Sequence, residues 1–245
     1  MEENLVDVYN SYLEKAYRFI TFEGLFSTIT SKTLRFARAD TFNDPLDNSP
    51  YLMNMEWDFI SKLPPKDYQK IYQKLFHQVL GKLYICCFSK TYDSKESYLM
   101  WSHYGQSHSQ VCFEIDFSKH EFCGGPSNVI YVASLEKERK KHKTTTDGLG
   151  LFLVTTKSDI WKYEQEVRLI FQLTYNEKTK SLKHSNDGKN LDVPFNIKMI
   201  SKVIFGLKAS RENINKTIQL FKKNGHKPIF EKMMIDPINL EPEFK

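Results

Sequence analysis

Apolar and polar residues alternate through A-Y-R-F-I-T, residues 16–21, with the two-residue period of a strand. The period then lengthens. Leu25, Phe26 and Ile29 recur at helical spacing across Phe22–Ser31, and T-L-R-F-A (33–37) returns to strand alternation. Residues 2–16 are weakly amphipathic and read as a short helix or ordered arm. Residues 56–80 carry Trp57, Ile60, Tyr68, Ile71, Tyr72, Leu75 and Val79 at helical spacing, broken by Pro64-Pro65, which predicts a two-segment helical insertion at about 55–81.

Further strands are predicted at 83–89, 111–117, 129–132, 167–174, 200–205 and 228–235. A helix is predicted at 97–105, ending at a glycine, and another starts within 149–157. The clearest helix is 211–224, with Ser210 as N-cap, Ile214, Ile218 and Phe221 as its stripe, and Gly225 as its stop. Few βαβ units occur, and neither G-x-G-x-x-G nor G-x-x-x-x-G-K-[ST] is present, which argues against a doubly wound nucleotide fold. The pattern predicts a single mixed α+β domain over 1–245 with a helical insertion.

Composition changes this picture little. The chain has 245 residues, 40% hydrophobic and 27% charged, enough for one sizeable core. The net charge of +5 permits a nucleic-acid partner without demanding one. Its lysines concentrate in K-E-R-K-K-H-K (137–143) and around 178–189, read as solvated surface. Cys86 and Cys87 are adjacent within an apolar run; no C-x-x-C occurs and the histidines complete no zinc spacing. The acidic N-terminus is unlike a signal sequence and no apolar run reaches bilayer length, so a soluble cytoplasmic protein without membrane contact is expected.

Four segments place polar groups among large apolar residues, where burial without partners is costly. They are Y-R-F-I-T (17–21), F-N-D-P-L-D (42–47), M-W-S-H-Y-G-Q-S-H (100–108) and W-K-Y-E-Q-E-V-R-L-I (161–170). In the last, Glu164, Glu166 and Arg168 are two apart and would share one strand face, either as a salt-bridged edge or lining a cleft. Asn43 and Asp44 suit a self-satisfied turn or a ligand loop. Trp101 and Trp161 suit core anchors, while His103, Tyr104, Arg35 and Arg38 are open between structural and binding roles.

These blocks, with C-C-F-S (86–89) and V-I-F-G (203–206), resemble in order the bacterial domain-of-unknown-function 2971 family, a resemblance that covers most of the chain and brings no activity. More distantly, Tyr17-Arg18-Phe19-Ile20-Thr21 followed by Leu25, Ile29 and Leu34 is similar to the opening of DNA-modifying ADP-ribosyltransferase toxins and tRNA 2′-phosphotransferases. That likeness implies an ADP-ribosyltransferase-like α+β fold with a split, mostly antiparallel sheet, and NAD as substrate, with no metal. It places Arg18, Thr21, Tyr17, Asn43, Asp44 and Tyr104 around NAD. Glu166 would be the catalytic carboxylate with Glu164 beside the acceptor, Arg168 would hold an acid ionised, and His103, Arg38 and Trp101 would meet the substrate. The implied setting is a toxin or phage-defence effector acting on RNA or DNA, with an antitoxin as partner. Two other classes compete: a non-catalytic nucleic-acid-binding or regulatory module, and a metal-dependent nuclease using Asp40, Asp44, Asp47 and Glu166.

Overall fold

The computed structural model describes residues 13–49, 52, 70, 74, 80–119, 126–141, 152–173, 182–185 and 187–245. The helical insertion predicted at 55–81 lies outside the described residues apart from Lys70, Lys74, Leu80 and Gly81, and so does most of the N-terminal arm.

The chain opens with strand β1 (Lys15–Ile20), helix α1 (Phe22–Ser31) and strand β2 (Thr33–Arg38). Thr21 caps α1, its side chain accepting from the Gly24 amide at 3.1 Å, and Lys32 ends the helix in the left-handed region at φ 55°. Strand β3 (Leu83–Ser89), helix α2 (Ser97–His103) and strand β4 (Val111–Asp116) follow. The single strand expected at 129–132 is two short ones, β5 (Ser127–Asn128) and β6 (Ile130–Val132). Helix α3 (Leu135–Lys141) carries much of the lysine-rich run on an exposed surface, where Glu136 pairs with Lys140 at 2.6 Å.

Of the helix expected within 149–157, the described residues 152–155 are helical and pass directly into strand β7 (Thr156–Ser158). Strand β8 (Glu166–Gln172), the hairpin of β9 (Lys183–His184) and β10 (Asn190–Pro194), and strand β11 (Ile200–Phe205) precede helix α4 (Arg211–Lys223). Ser210 caps α4 by accepting from the Asn213 amide, and Gly225 takes φ 66° just beyond it. Strands β12 (Ile229–Ile235) and β13 (Pro242–Phe244) complete the fold.

Among the described residues eleven strands form one sheet, in the order β13-β12-β11-β4-β1-β3-β2-β10-β9 with β8 and β5 branching from β3. All pairings in it are antiparallel except β11 with β12, whose connection runs through α4. This is an α+β fold with a mostly antiparallel sheet. Its main core lies between one sheet face and helices α1 and α4, where Phe22, Leu25, Ile29 and Phe221 meet Phe36, Phe113 and Val203. The opposite face carries two smaller clusters, one around Trp101 and Cys112 and one around Ile85 and Leu153. Among the described residues no helix is long and apolar enough to cross a membrane.

The branching at β3 opens the sheet. β8 pairs along one edge of β3 from Leu83 to Ser89. β2 and β1 divide the other edge, β2 at Tyr84 and Ile85 and β1 only at Ser89, so Cys86, Cys87 and Phe88 have no strand partner on that side. A gap therefore separates β1 from β2.

Candidate functional site

A cavity of about 340 Å³ occupies this gap, within the size range of small-molecule sites. Arg18 reaches it from β1. It shares a strand face with core residue Ala16, and its guanidinium donates to Cys86 Sγ at 2.7 Å and to the Arg35 carbonyl at 2.9 Å while lying 5.8 Å from the Phe88 ring. No carboxylate among the described residues pairs with it. Arg35, also at the cavity, is gripped by Asp192 through two hydrogen bonds of 2.9 and 3.1 Å.

At the other side sits a cluster of buried charges. Glu166 begins β8, with Arg168 two residues on, and the period of the strand puts both on the face opposite Val167 and Leu169. The fully buried Arg168 holds Glu166 through Nε and Nη2 at 2.8 and 3.0 Å and Asp47 through Nη1 and Nη2 at 2.9 and 2.6 Å. Lys157, from β7, donates to Glu164 at 2.5 Å and Glu166 at 3.3 Å, lies 3.5 Å from Asp47, and rests 4.9 Å from the Trp161 ring. Three carboxylates thus face two cations, an excess of one negative charge in side chains that are 7% exposed or less.

Glu164 is not on the strand expected of it. It ends a 3-10 turn, Asp159–Glu164, and Gln165 at φ 44° reverses the backbone before β8 begins. The left-handed Gln165 turns Glu164 back toward Lys157, so the carboxylates converge from two elements. Glu164 Oε1 accepts from the Tyr104 hydroxyl at 2.6 Å, at the C-terminal end of α2.

The two glutamates differ in charge state. Burial pushes both toward the neutral acid. For Glu166 the charges and hydrogen bonds of Arg168 and Lys157 outweigh burial and bring it down to about 2. For Glu164 burial and the neighbouring Glu166 prevail over Lys157, and its proton is held more tightly than usual. Lys157 is pushed up, because three carboxylates outweigh its burial. The Tyr104 hydroxyl is also pushed up, by burial and by its bond to Glu164. Such a split between neighbouring carboxyls separates one permanent anion from one group able to exchange a proton.

The residues expected from the sequence divide plainly. Arg18, Tyr17, Asn43, Tyr104, Glu164 and Glu166 all line the cavity. Thr21 does not; its hydroxyl is spent capping α1. Asp44 accepts from the Leu46 amide within its own turn, and Arg38 binds Asp40 at 2.6 Å. Trp101 is fully buried, its indole donating to the Tyr92 carbonyl, so it is a core anchor. His103 lies outside the cavity, 3.3 Å from the Tyr163 hydroxyl. Sequence reasoning missed Lys157, which stood in a segment read as the start of a helix, and named Asp47 only among the acids of a metal-dependent nuclease, not as a partner of Arg168.

Asp47 and Glu166, two of the acids that a nuclease would use, are bound bidentately by Arg168, and Asp40 is bound by Arg38. Among the described residues no three His, Cys, Asp or Glu side chains are grouped to hold a metal ion. Comparison with protein-family models, with curated proteins and with solved structures returned no match.

Proposed function

We propose that this chain is an ADP-ribosyltransferase-like enzyme that takes NAD into the gap between β1 and β2. The observation that supports this most is charge separation within one cavity. An arginine that no carboxylate among the described residues pairs with lies at one side, and a buried cluster with one excess negative charge lies at the other. NAD matches that polarity, with an anionic pyrophosphate for Arg18 and a cationic nicotinamide ring for the carboxylate side.

In this reading the bond between ribose C1′ and the nicotinamide nitrogen breaks, and neutral nicotinamide leaves with the electron pair. The positive charge left on the ribose is stabilised by the excess negative charge of the cluster, fixed in place before the reaction. An acceptor nucleophile then bonds to C1′ and gives up its proton. The roles expected of the two glutamates are exchanged. Glu166 has both oxygens held by Arg168 and serves as fixed charge, whereas Glu164, with its raised proton affinity and half-exposed Tyr104 partner, takes the acceptor's proton.

The test is incubation of purified protein with NAD labelled in the adenylate, following nicotinamide release and transfer of label to RNA, DNA or protein. Wild type should release nicotinamide. Glu164→Gln should lower the rate about 100-fold or more while NAD binding persists. Binding of NAD without release by any variant, or no binding at all, overturns the reading.

A further inference from the structure

Beside Tyr104 and Glu164, which line the cavity, the surface carries a group of apolar and aromatic side chains. Helix α2 and the 3-10 turn Asp159–Glu164 pack against each other and leave Leu99, Tyr104 and Ile160 exposed, Ile160 at 71%. Aromatic rings from both elements meet there. His103 and Tyr163 meet edge-on with centroids 5.9 Å apart, and Tyr163 lies 6.1 Å from Trp161. Trp161 in turn is fixed by Lys157 beneath it, and Tyr104 by Glu164. Trp161 and Tyr104 are therefore held in place by the buried charge cluster, and His103 and Tyr104 are exposed.

We propose that this rim is a stacking site for a nucleobase of a single-stranded nucleic acid, the acceptor of the transfer proposed above, on which this inference rests. The orientation decides between the two sources of a base. With the pyrophosphate at Arg18, the adenylate of NAD extends away from Glu164. The group that approaches ribose C1′ from the Glu164 side is the acceptor, and the surface it crosses is aromatic. Stacking on such rings accepts any base through its π-face. Lys162, exposed on the same turn and without an ion-pair partner among the described residues, supplies a cation for the adjoining phosphate.

The experiment is quenching of tryptophan fluorescence by 12-residue single-stranded homopolymers of DNA and RNA, without NAD, beside parallel titrations with NAD and ADP-ribose. Wild type should show saturable quenching by oligonucleotide. Trp161→Phe should remove most of the signal, and Tyr163→Ala should weaken binding about tenfold. Ile160→Glu, at an exposed position that leaves the fold intact, should weaken it similarly with an unchanged thermal midpoint. Failure of oligonucleotides to bind, equal binding by the Ile160→Glu variant, or Trp161 quenching by ADP-ribose alone would overturn the assignment. Because this titration contains no NAD, its outcome is independent of transfer: oligonucleotide bound at the rim, with no nicotinamide released in the separate incubation with NAD, would sink the transferase reading and leave the stacking site standing.

Discussion

The ammonium of Lys157 lies 2.5 Å from Glu164 Oε2, and the chain between them forms a strand end and a 3-10 turn that fold back on themselves. This contact joins two otherwise separate segments and places the sole lysine of the buried cluster between three acids. Remove it, and three carboxylates face Arg168 alone. Lys157→Met should therefore destabilise the protein by about 3–5 kcal/mol, the range for leaving buried charges unpaired. Urea unfolding at neutral pH checks this, and Lys157→Arg should recover part of the loss.

The two glutamates predict opposite pH dependences. Glu166 is held near 2 when folded, below the unfolded value of about 4.3, so the folded state binds fewer protons between these limits. Its contribution, about 3 kcal/mol by that difference, is complete above about pH 4.3 and lost as pH falls toward 2. The stability difference between wild type and Glu166→Gln should shrink over that window.

For Glu164 the sign reverses. Its folded proton affinity is raised, so the folded state holds the extra proton and stability declines as pH rises above the unfolded value. Glu164→Gln should therefore gain on wild type with rising pH, read from urea midpoints across a pH series.

Arg18 and Thr21 stand three residues apart and separate binding from folding. Arg18→Ala should weaken NAD binding about tenfold, the loss of one charge-assisted contact, with little change in stability because no carboxylate depends on it. Thr21→Ala should cost about 1 kcal/mol of stability through the lost cap and leave NAD affinity unchanged. Calorimetric titration and urea unfolding of both variants check the pair.

Gly206 joins two of the sequence motifs. A Cβ there would stand 2.4 Å from the His108 carbonyl oxygen and 2.9 Å from that of Gln110, both backbone atoms that cannot swing aside. The Gly206 amide donates to the Gln110 carbonyl, and Lys208 to that of His108, latching down the turn in which Gln106, Ser107 and His108 all have positive φ. Gly206→Ala should destabilise by about 1–3 kcal/mol, measured by urea unfolding.

Local chemistry was legible wherever neighbouring residues decide it. Helix α1 runs over the range its apolar spacing predicts, because Thr21 and the stripe of Leu25 and Ile29 act within a few residues of each other. Helix α4 follows Ser210 and Gly225 for the same reason, and β3 and β11 follow their apolar runs. Of the site, the alternation in Glu166-Val167-Arg168 correctly placed an acid and its base on one face. The remainder depended on contacts made far along the chain. Asp47 meets Arg168 across 121 residues, and nothing near either one announces it. Lys157 looked like part of a helix until pairing with β6 drew it into a strand. Glu164 looked like part of β8 until Gln165 turned it out. Periodicity reports which face a residue shares with its neighbours; which partners neutralise a buried charge is settled only when distant segments pack and exclude water.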